Sequence, residues 1–254
     1  MCLSDAALLR DGETLDTFFQ GHLKIIQPKS GYRFSMDSVL LAGLTRVRPQ
    51  ERVVDLGTGC GVVPLLLAYR RSAAKITGVE IQESLARIAE RNAGINRLSH
   101  LICIVRGDLR RMRKDVLDTE VTLAVSNPPY RELHSGRLNP DAEKVIARHE
   151  VLATLGDVVQ AAARLLPQRG RLALIYPARR LPHLLGELSR RRFAPRHLTL
   201  IHTTLDSPAR LVHLESVYGG GEELHVGKPF AIYQSKGTYT DEMAAMYGDA
   251  PGVS

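Results

Sequence analysis

Four short stretches of this sequence carry residues whose types and spacing could do chemistry: "DLGTGCG" at 55–61, "GVEI" at 78–81, "GD" at 107–108 and "NPPY" at 127–130. In the last of these, two prolines give up two backbone donors and fix two φ angles, which disfavours helix and central strand alike. An amide, Asn127, and a phenol, Tyr130, flank them. An aromatic exocyclic amine is a poor nucleophile, because its lone pair is delocalised into the ring. Two acceptors, the Asn127 side-chain oxygen and the Pro128 carbonyl, can hold its two N–H groups, with Pro129 stiffening the loop and Tyr130 stacking on the planar acceptor. Such a clamp works by positioning and requires no general base.

The glycine-rich stretch reads as a cofactor loop. Gly57, Gly59 and Gly61 stand between an apolar run and an amphipathic one, where glycine lets the backbone turn tightly and pass close to a ligand. Dinucleotide folds prefer G-x-G-x-x-G. Here the spacing is D-x-G-x-G-x-G, with Asp55 ahead of it, where a carboxylate would repel a pyrophosphate but can support a cationic amino-acid moiety. Glu80 follows Gly61 at the distance at which an acid accepts ribose hydroxyls. Asp108 offers a carboxylate to an exocyclic adenine amine. Their neighbours Thr58, Ile81 and Leu109 belong to the same expected site, and Asn127 borders it. Acids ending three successive strands around a glycine loop point to S-adenosylmethionine, with S-adenosylhomocysteine as product, rather than to nicotinamide or flavin.

The elements that must position these residues alternate. "RVVDLG" (52–57), "KITGVEI" (75–81), "LICIVRGD" (101–108), "VTLAVSNPPY" (121–130) and "RLALIYP" (171–177) read as strands; 62–71, 83–96, 154–166 and 181–193 read as helices. Near-continuous apolar strands alternating with helices indicate a parallel sheet covered on both faces. Segments 196–204 and 210–218 follow one another without a helix, so they should be antiparallel, and 229–234 is one further strand. The span 22–44 reads as a short hairpin and then a helix. The expected organisation is an extension over 1–48 capping the cofactor site, and one catalytic domain over 49–254 with a C-terminal β extension.

Composition narrows the class. Three scattered cysteines with no Cys-x-x-Cys argue against a disulfide framework or a metal site, and suit a reducing cytoplasm. The first residues include acids and no long apolar core, so neither a signal peptide nor a membrane anchor is expected. Lys and Arg outnumber Asp and Glu by 34 to 27, a net charge of +7, with arginine clusters at 110–113, 179–180 and 190–192. Arginine forks hold phosphate bidentately, which makes nucleic acid a candidate partner.

The cofactor stretches resemble the class I methyltransferase family over about residues 50–218. That resemblance implies an α/β, doubly wound, Rossmann-like seven-stranded sheet whose last strand is antiparallel. "NPPY" is similar to the motif of amino-methyltransferases acting on adenine N6, cytosine N4 or a glutamine amide. The flanks "KIIQPKSGYRFSMDSVLLAGL" and "NPPYRELHSGRLNPDAEKVIARHE", with the tail "GKPFAIYQSKGTYTDEMAAMY", resemble tRNA adenine-N6 methyltransferases acting at position 37, beside the anticodon of a valine tRNA. By that resemblance Gly31, Tyr32, Phe34 and Asp37 form part of a lid over the cofactor. Arg131, Arg137, Arg148 and His149 line the approach to the acceptor beside Tyr130. The implied protein is a cytoplasmic monomer acting on tRNA, with no metal and no membrane contact. The alternatives are an N-methyltransferase acting on a ribosomal RNA adenine or on a protein glutamine amide, or a non-catalytic RNA-binding module.

Overall fold

The computed structural model describes residues 9–31, 33–70, 75–117, 120–130, 153–221 and 223–248. An antiparallel hairpin, β1 (Glu13–Phe18) and β2 (Leu23–Pro28), leads to helix α1 (Met36–Leu44). The hairpin therefore starts before the span 22–44, which holds only its second strand. The two acids of "ETLDTF" and its single central apolar residue hide β1, one of whose edges is paired by β2.

Strand β3 (Arg52–Leu56) opens the alternating part, followed by α2 (Val62–Tyr69), β4 (Lys75–Glu80), α3 (Glu83–Ile95), β5 (Ile102–Arg106) and β6 (Leu123–Ser126). After α4 (Leu155–Leu165) come β7 (Arg171–Pro177), α5 (Leu181–Arg190), β8 (Phe193–His202) and β9 (Ala209–Tyr218). The parallel strands lie in the order β5-β4-β3-β6-β7, and β9 inserts antiparallel between β7 and β8. These seven strands match the expected sheet. Two further strands of two residues each, β10 (His225–Val226) and β11 (Phe230–Ala231), pair with the outer edge of β8 and bring the sheet to nine. The single strand expected at 229–234 is divided: β11 joins the sheet, whereas β12 (Tyr233–Ser235) pairs with β13 (Thr238–Tyr239) ahead of α6 (Asp241–Tyr247).

Helix character follows each helix's surroundings. α2 is apolar on all sides because the sheet and its neighbours cover it, with Val62 to Ala68 buried throughout. α3 buries Leu85, Ile88, Ala89 and Asn92 along one stripe. α4 is started by a capping box between Thr154 and Asp157. At the amino edge of the sheet, buried Arg171 bridges Glu51 (2.6 Å) and Glu215 (3.0 Å), tying the segment before β3 to β7 and β9.

The hairpin is attached by an unusual pairing. The free edge of β2 would expose unpaired backbone groups. Asn92 of α3 and Asn96, the residue that caps its end, satisfy it. Asn92 accepts from the Ile26 N–H (2.7 Å) and donates to the Ile26 carbonyl (2.8 Å); Asn96 does the same for Lys24, at 2.8 and 2.6 Å. The match is geometric: four residues rise about 6 Å along a helix, close to the roughly 6.6 Å between alternate residues of a strand. Asn92 also donates to the carbonyl of Cys60 (2.9 Å), so the same amide fixes the loop between β3 and α2.

Asn92→Ala would leave three backbone groups, the N–H and carbonyl of Ile26 and the carbonyl of Cys60, without their partner. A cost of about 3 kcal/mol is expected in urea unfolding, against about 1 kcal/mol for Asn96→Ala on the half-exposed side. Equal costs at the two positions would show that water replaces the Asn92 amide.

Candidate active site

Parallel strands deliver their ends to one edge, and a cavity of about 240 Å³ opens there. Its floor is the turn after β3. Gly57, Gly59 and Gly61 all have positive φ (82°, 58° and 83°), which glycine alone adopts without strain. The N–H groups of Gly57 and Thr58 both bond the Val79 carbonyl, at 3.0 and 2.9 Å, pinning the loop to β4. At Gly61 a Cβ would meet the Cβ of Ala89 at 3.0 Å, so this glycine also lets α2 approach α3. Ser126 draws β6 against β3 by donating to the Leu56 carbonyl at 2.7 Å.

Of the residues the sequence singles out, Gly57, Gly59, Glu80, Ile81, Asp108, Leu109, Asn127, Pro128 and Pro129 line the cavity together. Glu80 is 6% exposed, and burial raises its pKa. Its two oxygens accept from the Gly59 and Gln82 N–H groups, each at 2.9 Å. Each oxygen keeps a second lone pair, enough for a pair of ligand hydroxyls. Asp108 is held by Arg110, whose Nε lies 2.8 Å from one carboxylate oxygen and whose Nη2 lies 2.7 Å from the other, and that guanidinium lowers its pKa. Arg164 of α4 fixes the same turn by donating to the carbonyls of Leu109 and Arg110, both at 2.8 Å.

Asp55 and Thr58 sit behind the loop, not on the cavity lining. Asp55 is 2% exposed, and burial, reinforced by the neighbouring Glu80 charge, pushes its pKa up to about 7. The Thr58 hydroxyl beside Asp55 partly offsets that rise, and one Asp55 carboxylate oxygen is buried with no hydrogen-bond partner in good geometry among the described residues. A buried carboxylate oxygen of this kind suits a cationic ligand group. No lysine or arginine appears among the described lining residues, so a pyrophosphate would meet carboxylates there. An adenosine with a cationic amino-acid tail fits this donor set; a dinucleotide does not. Sequence reading missed the apolar wall of Leu85 and Val158, because helical periodicity marks a residue as buried without saying which ligand it faces.

The proline loop is braced on three sides. The Tyr130 hydroxyl lies 2.7 Å from an Asp37 oxygen and 2.7 Å from the terminal amide of Asn127. A phenol has one proton to give. Asn127 Oδ1 faces the phenol and its Nδ2 faces the Ser38 hydroxyl at 3.4 Å, so the one phenol proton serves either Asp37 or Asn127, and Oδ1 keeps a second lone pair for a ligand. The ring of Tyr130 meets Tyr176 edge-on at 5.7 Å, and Arg180 donates to the Tyr130 carbonyl (2.6 Å) while lying over Tyr176. Neither Asp37 nor Phe34 is on the cavity lining: Asp37 bonds Tyr130, and Phe34 packs on Phe18 at 5.4 Å. Gly31 is exposed, with φ at 91°. Tyr32, Arg131, Arg137, Arg148 and His149 lie outside the described residues. Among the described residues no cluster of ligating side chains fits a metal ion, and no helix is long and apolar enough to cross a membrane.

Comparison with known proteins agrees with this geometry. The family model "Methyltransferase small domain" matches residues 33–181. A protein of Porphyromonas gingivalis named tRNA1(Val) (adenine(37)-N6)-methyltransferase is 33% identical over 196 residues, covering 74% of this chain and 75% of that one. A protein of the same name from Tolumonas auensis is 34% identical over 162 residues, covering 63% of this chain; the match spans 65% of the relative's length. Among solved structures, a predicted O-methyltransferase from Agrobacterium tumefaciens superposes with a TM-score of 0.67 at 21% identity, over 84% of this chain and 95% of that one, a likeness of fold alone. With the family model spanning more than half of its residues, this chain belongs to the methyltransferase small domain family.

Proposed function

We propose that this protein transfers a methyl group from S-adenosylmethionine to N6 of an adenine in tRNA, at position 37 beside the anticodon of a valine tRNA. The observation that carries the reading is the Asn127–Pro128 acceptor pair opening into a cavity walled by Glu80, Asp108 and a glycine loop, with Asp55 buried behind that loop. The names of the relatives from Porphyromonas and Tolumonas support the choice of acceptor. A tRNA substrate supports a cytoplasmic location.

S-adenosylmethionine supplies an electrophilic methyl on a sulfonium centre. Glu80 holds the ribose hydroxyls through its free lone pairs, Asp108 accepts from the adenine amine, and Asp55 supports the amino-acid ammonium. On the acceptor side the Asn127 carbonyl and the Pro128 carbonyl take the two N–H groups of the target amine. This fixes the amine's plane and directs its lone pair at the cofactor's end of the cavity. Most of the rate then comes from positioning. Tyr130, itself held by Asp37 and Tyr176, presents a ring against which the extruded base stacks. No base has to act beforehand: the amine becomes acidic on methylation and loses its proton to water.

The deciding experiment is nucleoside mass spectrometry of tRNA from a strain lacking the gene, after incubation with the protein and labelled S-adenosylmethionine. Labelled N6-methyladenosine is expected, and label absent from tRNA but present on a protein glutamine would overturn the choice of acceptor. In the same assay Asn127→Ala should slow turnover at least about 100-fold while leaving the cofactor dissociation constant within a factor of two or so. Parallel loss of both would remove Asn127 from the clamp.

A pH dependence follows from Asp55. Only the ionised carboxylate holds an ammonium, and its pKa without ligand is pushed up to about 7. Cofactor affinity measured by calorimetry should therefore fall about fourfold from about pH 8 to about pH 6, since protonation of the ligand amine offsets part of the Asp55 loss, with proton release from Asp55 on binding at the lower pH. Asp55→Asn should bind more weakly with that slope gone; an unchanged slope would assign the titration elsewhere.

A further inference from the structure

The chain carries arginine clusters in several places, and charge alone does not say which of them an RNA would touch. Sheet topology sorts them. Residues 110–114 follow β5, and Arg179 and Arg180 follow β7, so both groups stand at the carboxyl edge where the cavity opens. Arg190, Arg191 and Arg192 close α5 and lead into β8, which runs parallel to β7 because β9 is antiparallel to both. They therefore lie at the opposite edge, where the Gly219 N–H bonds the Arg192 carbonyl at 2.8 Å. The ten residues of α5 put about 15 Å between the two ends of that helix.

Local pairing sorts the cations further. Arg110 is bound to Asp108, Arg113 to Asp115 and Arg180 to the Tyr130 carbonyl. Arg111, Lys114 and Arg179 are exposed, and their side chains form no ion pair among the described residues. Four strand spacings separate β5 from β7, about 19 Å, with the turns carrying Glu80, Gly59 and Asn127 between them. Cations thus stand on both sides of the mouth through which an extruded base must enter.

Building on the RNA reading above, we infer that the RNA backbone lies across this edge, with phosphates held by Arg111 and Lys114 on one side of the cavity and by Arg179 on the other. Phosphate contacts of this sort set register and orientation, leaving the choice of base to the clamp. The cluster at 190–192 takes no part, although it keeps a positive balance after Arg190 and Arg191 both pair with Glu187. It is an internal control: equal in charge, different in place.

The test is the salt dependence of binding to an unmodified valine tRNA transcript. Each phosphate contact contributes about 0.7–0.9 to the slope of log affinity against log salt. Arg111→Ala with Lys114→Ala should flatten the wild-type slope by about 1.5, and Arg179→Ala by about 0.8. Arg190→Ala with Arg192→Ala should leave it unchanged. Cofactor affinity should be the same in all of them, which checks folding. A slope flattened by the 190/192 pair and untouched by the edge variants overturns the placement and leaves RNA as the substrate. A wild-type slope near zero overturns the RNA reading and this surface with it.

Discussion

Parallel strands cannot be joined by tight turns, and the rest of this molecule is organised around that constraint. Each crossover returns the chain to the amino edge, so β3, β4, β5 and β6 all finish at the carboxyl edge. Residues as far apart in sequence as Gly57 and Asn127 become walls of one cavity without any dedicated long-range contact. From β3 the chain winds one way through β4 and β5, then starts again at β6 and winds the other way to β7, so the cavity sits at the switch between β3 and β6, the usual ligand position in such folds.

Inside that frame the electrostatics are set by burial. Asp55 and Glu80 are both buried and both have raised pKa values, whereas Asp108 is anchored in its charged form by Arg110. The three acids are thus not equivalent. One is ready to gain a cation, one already spends half its lone pairs on the glycine loop and the segment after β4, and one is held by a guanidinium at the rim. The proposed cofactor, with a cationic tail, a neutral sugar and an adenine amine, would meet three different carboxylates.

Much of this was legible in the sequence because the signals are local. The glycines at 57, 59 and 61 need positive φ, and the acids are spaced by the length of one strand–helix unit. Where the signal depends on tertiary pairing, sequence reading failed. β1 is disguised by its charged residues, and the hairpin was placed too late in the chain. The resemblance assigns Asp37 to the lid over the cofactor; its bond to Tyr130 spans 93 residues and leaves no trace in either neighbourhood. Arg180 likewise reads as one more surface cation until β7 brings it against the proline loop. The roles given by resemblance to residues 131, 137, 148 and 149 fall outside the described structure.

The pairing of Asn92 and Asn96 with β2 bears on the order in which the chain folds. A two-stranded hairpin is marginal by itself in water, and the groups that complete its free edge come 66 and 72 residues later in the chain. During synthesis at roughly 5–20 residues per second, β1 and β2 leave the ribosome several seconds before α3 exists to receive them. The N-terminal segment is made first, but the backbone groups at its free edge have no partner until residue 96 has been added.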